Sequence, residues 1–137
     1  MSASLSPQDA LVAVMITISA ADEQQTTTEL ALIDALINAT PAFDDYDKDR
    51  IGAVNQVVRE LFSEEDGIDA LIGLVAEALP DRFYETAYAL ACDVAAADGN
   101  VKMTELRFLE MLRHDLRIGR LAAAAIERAA RARNQRF

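Results

Sequence analysis

The chain has 137 residues, 52% of them hydrophobic, with 5 glycines, 3 prolines and one cysteine. That suits one domain with its own core and excludes a disordered chain or a disulfide-stapled scaffold. The net charge of −10 is uneven: up to Leu112 there are 21 acidic and 6 basic residues, and beyond it seven arginines face only Asp115 and Glu127. An acidic body excludes nucleic acid as the main partner, because phosphate binding needs a broad cationic face, and it suits cations or a basic partner.

Residues 1–9 carry no basic stretch ahead of the apolar run, which argues against a secretory signal. The run over residues 10–21 is too short to span a bilayer and is interrupted by Thr17 and Ser19, so a cytoplasmic protein without a transmembrane segment is expected. A first helix starts at Ser6, where Ser6-Pro7-Gln8-Asp9 supplies a capping hydroxyl, a proline at the first helical position and an acid in the first turn. Its apolar side is Leu11, Val12, Met15, Ile16 and Ile18. After an acidic turn over 22–27, Thr26 and Glu29 form a capping box for a second helix, whose apolar residues Leu30, Ile33, Leu36 and Ile37 keep helical spacing. Thr40-Pro41 ends it.

A third helix opens in Phe43-Asp44-Asp45-Tyr46-Asp47 and continues through Ile51, Val54, Val58, Leu61 and Phe62. Ser63-Glu64-Glu65-Asp66 caps a fourth, carrying Ile68, Leu71, Ile72, Leu74, Val75 and Leu79, with Gly67 a weak point that shifts the start downstream. A fifth carries Phe83, Tyr84, Ala87, Leu90, Ala91 and Val94, and its small residues predict close helix contact at the centre of the fold. A sixth starts near Thr104 with Leu106, Leu109, Met111 and Leu112 and breaks at Leu116-Arg117-Ile118-Gly119. A seventh covers 121–132, with Leu121, Ala125, Ile126 and Ala129 on its inner side. No alternation long enough for a strand appears.

Two stretches echo each other 76 positions apart. Ala20-Ala21-Asp22 leads to Thr28-Glu29-Leu30, and Ala96-Ala97-Asp98-Gly99 leads to Thr104-Glu105-Leu106; Ile33 and Leu36 match Leu109 and Leu112. The expected fold is therefore an all-α, single-domain bundle of about seven helices, built on a pseudo-twofold repeat of helix, acidic turn and helix. The domain covers 6–132, with flexible termini at 1–5 and 133–137. The second turn has the spacing of the later half of a calcium EF-hand loop, but Val94 and Ala96 fill the first two ligand places and cannot donate oxygen. Paired across a twofold, Asp22, Glu29, Asp98 and Glu105 would instead offer four carboxylates, the hard oxygen set that calcium, magnesium or manganese takes. The competing reading is that each acid caps the helix that follows it.

The pattern Ala-Ala-Asp-Gly-x-Val-x-x-x-Glu-Leu-x-x-Leu-x-x-Leu, closing an Ala-rich helix at residues 96–112 and echoed at 20–36, resembles the TerB family of tellurite-resistance proteins. The resemblance covers roughly 11–130. It implies an all-helical fold, an acidic surface that binds metal through Asp22, Glu29, Asp98 and Glu105, and a role in resistance to tellurite and other stresses. It implies other Ter-system proteins as partners, some membrane-bound, with no enzymatic activity and no organic cofactor. Glu23 stands where the motif turns at glycine.

Other residues carry less. Asp45-x-Asp47-x-Asp49 mimics the start of an EF-hand loop, but Arg50 replaces its glycine. His114 has no companion for a zinc site, Asp93 is either a further ligand or a surface acid, and Cys92 reads as a small core residue. The C-terminal arginines suit helix C-termini and the acidic body, or an acidic partner or anionic membrane. The alternative function is a metal-independent helical scaffold that uses an apolar groove or the basic last helix; a homo-oligomer is compatible with either.

Overall fold

The computed structural model describes residues 5–20, 27–97 and 101–137, with the helical backbone alone for 27–29. Among the described residues there are seven α-helices: α1 (Pro7–Ala20), α2 (Thr27–Ala39), α3 (Ile51–Phe62), α4 (Gly67–Ala78), α5 (Tyr84–Ala96), α6 (Met103–Asp115) and α7 (Arg120–Arg133). Among the described residues there is no strand, so the architecture is an all-α single-domain bundle.

The first helix is the axis of the core. The sequence predicts one apolar side, but every residue from Asp9 to Ser19 is buried, because α2, α3, α4, α5 and α6 all pack around it. A helix that is apolar all round belongs inside. The Ser6 hydroxyl caps it as expected, accepting from the Asp9 N–H at 3.0 Å, and a return bond from the Ser6 N–H to Asp9 Oδ2 at 3.1 Å completes a capping box. Thr17, also buried, donates its hydroxyl to the Ala13 carbonyl at 2.7 Å. The fifth helix is the second pillar. Ala87, Ala91 and Ala95 let α1 and α7 approach it closely, and α2 and α6 pack on it as well.

Several expectations are corrected. The stretch 43–47 does not open α3. The 3₁₀ turn Pro41–Phe43 is followed by a bend in which Asp45 takes a left-handed backbone, φ 63°, and a second 3₁₀ turn, Lys48–Arg50, leads into α3. Pro41 removes a donor, and aspartate tolerates the left-handed region, so short turns win over helix here. The hydroxyl of Ser63 donates to the Glu60 carbonyl and closes α3 instead of capping α4. Gly67 begins α4, and a Cβ there would lie 1.8 Å from the Leu61 carbonyl oxygen, so the position needs glycine for close approach. Leu30 and Ile68 are exposed, with Ile33, Ile37, Leu71 and Ile72 buried in their helices.

In α7 the inner side is Ala123 and Ala130 with half-buried Ile126, and Leu121 is 88% exposed. The buried positions keep helical spacing, rotated from the expected face, because contact with α5 selects alanines over the larger leucine.

Between α6 and α7 the chain makes a C-cap that the sequence does not announce. The Ile118 N–H donates to the Arg113 carbonyl at 2.9 Å and the Arg117 N–H to the His114 carbonyl at 3.1 Å, with Arg117 in a left-handed conformation at φ 55°. This is the Schellman arrangement with arginine in the place usually taken by glycine.

Candidate functional site

Of the four carboxylates in the repeated turns, Glu105 is the one whose side chain falls within the described residues. It is the third residue of α6 and only 4% exposed. Its Oε1 accepts from the backbone N–H of Lys102 at 3.0 Å, which satisfies an orphan donor at the helix start and sets the negative charge on the positive end of the helix dipole. The capping role expected for Glu105 is thus real, and burial adds to it: a carboxylate leaves water only where other groups compensate its charge. Glu29 occupies the same third position of α2, with its side chain outside the described residues. Asp22 and Asp98 lie outside them altogether, as does the EF-hand-like glycine turn at Gly99.

The neighbouring acids are accounted for structurally. The Asp93 carboxylate forms an ion pair with Arg133 of α7, accepting from Nη2 at 2.9 Å and Nε at 3.1 Å. Asp47 Oδ1 accepts from the Asp49 N–H at 2.9 Å and so caps the second 3₁₀ turn. His114 is exposed in the last turn of α6. Among the described residues, no three His, Cys, Asp or Glu side chains gather as a metal-ligand group.

Sequence reasoning missed two constellations. The first surrounds Asp9, whose side chain is fully buried. Both its oxygens receive the Arg50 guanidinium, Oδ1 at 3.0 Å from Nε, and Oδ1 also accepts from the Tyr46 hydroxyl at 3.0 Å. Burial alone would raise the carboxyl's pKa; the Arg50, Ser6 and Tyr46 hydrogen bonds outweigh it and hold the value below the ordinary range. Burial, with the bond to Asp9, drives the Tyr46 phenol upward. The signal was present in the sequence: an acid in the first turn of a helix apolar on every side has to be buried, and therefore paired.

The second is a cleft of about 360 Å³ between α6 and α7, floored by α5. Tyr88 donates its hydroxyl across it to Glu127 at 2.7 Å. Cys92 sits on the floor, and burial pushes its thiol up to about 12, so it stays protonated and is a poor nucleophile at neutral pH. Leu106 and Leu109 give the cleft an apolar wall, and Arg113 and Arg131 stand on its rim. Its trace in the sequence is the arginine-rich α7, whose exposed Leu121 had been assigned to the core.

The fold and the carboxylate-bearing helix start define a small, acidic, all-α protein. The chain belongs to the TerB family: the family model described as tellurite resistance protein TerB matches residues 8–130. No curated protein and no solved structure matches the chain. No helix among the described residues is long and apolar enough to cross a membrane.

Proposed function

We propose that this TerB-family chain is a non-enzymatic, cytoplasmic protein of tellurite and stress resistance whose two acidic turns jointly hold a divalent cation. Asp22 and Glu29 from one turn and Asp98 and Glu105 from the other would supply the ligands. Four carboxylates are hard donors, which fits calcium, magnesium or manganese better than a thiophilic metal. A bound cation would neutralise the cluster and tie the two helical hairpins together, and through that surface the protein would engage other Ter-system proteins.

The observation that carries this reading is the burial of Glu105 at the start of α6, directly after the second turn. Two others support it. In packing, α1 meets both α5 and α6, and α5 meets both α1 and α2, the exchange that a twofold between the α1–α2 and α5–α6 hairpins would produce. Two of the three matched apolar pairs after the turns share burial: Leu30 and Leu106 are exposed, at 51% and 44%, and Ile33 and Leu109 are both buried, while Leu36 is half-buried where Leu112 is fully buried.

The test is calorimetric titration of chelated protein with each cation, beside Asp98→Asn combined with Glu105→Gln. The reading predicts saturable binding that weakens at least tenfold in the double variant while helicity by circular dichroism is retained. Equal affinity in both proteins would remove the turns from the site and favour the metal-independent scaffold.

A further inference from the structure

We infer that the groove between α6 and α7 is the docking site for an acidic amphipathic helix of a partner polypeptide. Both helices pack on α5 and scarcely on each other, leaving a furrow with α5 as its floor. From Arg120 to Arg131 the α7 wall spans twelve residues, about 16 Å end to end at a rise of 1.5 Å per residue, which matches a three-turn helix laid into it. Its contents suit the apolar face of such a helix. Leu106 and Leu121 line the furrow, and both are large hydrophobic side chains left in water. A docked helix would bury them by the helix-in-groove mode of recognition.

Charge selects the occupant. Arg113, Arg120 and Arg131 stand along the rim, exposed, and none makes an ion pair with another described residue, whereas Arg133 on the far side of α7 is taken by Asp93. Against these three arginines stand two acids, Glu110 and Glu127, the latter held in place by the Tyr88 hydroxyl with its charge retained, so positive charge exceeds negative by one. The furrow is thus a basic strip on a chain of net charge −10, and it is the face where an acidic helix meets attraction instead of repulsion. A second copy, itself at −10, is repelled at long range. A lipid surface is flat and would leave the α5 floor uncovered, whereas a helix fills a furrow.

The experiment titrates the ¹⁵N-labelled full chain, in EDTA, with a designed fifteen-residue helical peptide that has leucines at helical spacing on one face and glutamates elsewhere. A second peptide keeps the leucines and replaces glutamate by lysine. Vesicles of phosphatidylglycerol are a third arm, and sedimentation equilibrium of the protein alone is a fourth. The inference predicts saturable shifts from the glutamate peptide at the amides of Ala95, Leu106, Leu109 and Ala130. It predicts at least a tenfold loss of affinity in Arg113→Gln/Arg131→Gln, with the melting temperature unchanged. It is overturned if neither peptide produces those shifts, or if the lysine peptide binds there equally well. Arginine-dependent binding to vesicles without peptide binding, or self-association through this face, also overturns it. Binding in EDTA that persists in Asp98→Asn separates this furrow from the acidic turns, so either reading can fail alone.

Discussion

Asp9 and Arg50 join the start of the central helix to the entry of α3, and Tyr46 completes the arrangement from the loop between them. The Asp9 carboxyl titrates below its ordinary 3.8 in the folded chain. A depressed acid stabilises the fold in full above its unfolded value, and the contribution is lost as pH falls through the folded value. Asp9→Asn should therefore lower stability by about 1–3 kcal/mol at pH 7, the range for a buried group that loses charge-assisted partners. The gap between variant and parent in denaturant melts should narrow as pH falls below 3.8 toward the lower folded value; a gap independent of pH would mean the charge is not what stabilises. At Arg117 the backbone is left-handed, a conformation that disfavours any residue with a Cβ. Arg117→Gly should raise stability by about 0.5–1 kcal/mol, read from the urea midpoint at constant m.

At the scale of elements, Gly67 shows how a connection fixes two helices at once. Its α-carbon lies against the Leu61 carbonyl at the end of α3, and no side chain fits between them. Gly67→Ala should destabilise by about 1–3 kcal/mol through forced displacement of backbone, whereas Gly73→Ala, in open space within α4, should stabilise by up to about 1 kcal/mol. If both behave alike in thermal melts, helix propensity decides and close approach does not. The existence and order of the seven helices were legible because each carries apolar residues at helical spacing between Pro, Gly or capping signals. The boundaries at 43–47 and 63–66 were not: an aspartate or serine that caps a helix is the same residue type that shapes a turn or closes the helix before. The face of α7 was misread for a related reason. Alanine and leucine are both apolar in a pattern, but the small-residue surface of α5 admits alanine.

Across the whole molecule, the acidic body and the basic last segment divide the surface between two kinds of partner. Besides the packing of α7 on α5, the segment is held to the body by the Arg133–Asp93 ion pair, by the Tyr88 hydroxyl donating to Glu127, and by Arg136 Nη2 donating to the Ala97 carbonyl at 2.7 Å, at the C-terminal end of α5. Arginines from Arg113 to Arg131 are left to face outward along α6 and α7. The repeated motif was legible as two copies of Asp and Thr-Glu-Leu at the same spacing, and of its four acids Glu105 caps the start of α6. The furrow was not, because its walls come from helices that the sequence separates and its apolar residues look like ordinary core. The central claim is that the turns bearing Asp22, Glu29, Asp98 and Glu105 bind a divalent cation. The most direct test is thermal melting of chelated protein titrated with calcium, magnesium, manganese and zinc, beside Asp22→Asn/Asp98→Asn. A cation at a hundred times its dissociation constant adds about 2.7 kcal/mol to a fold that alone binds it. The account predicts a rise in melting temperature with a hard cation that disappears in the variant. No rise with any of the four, or an equal rise in the variant, would contradict it.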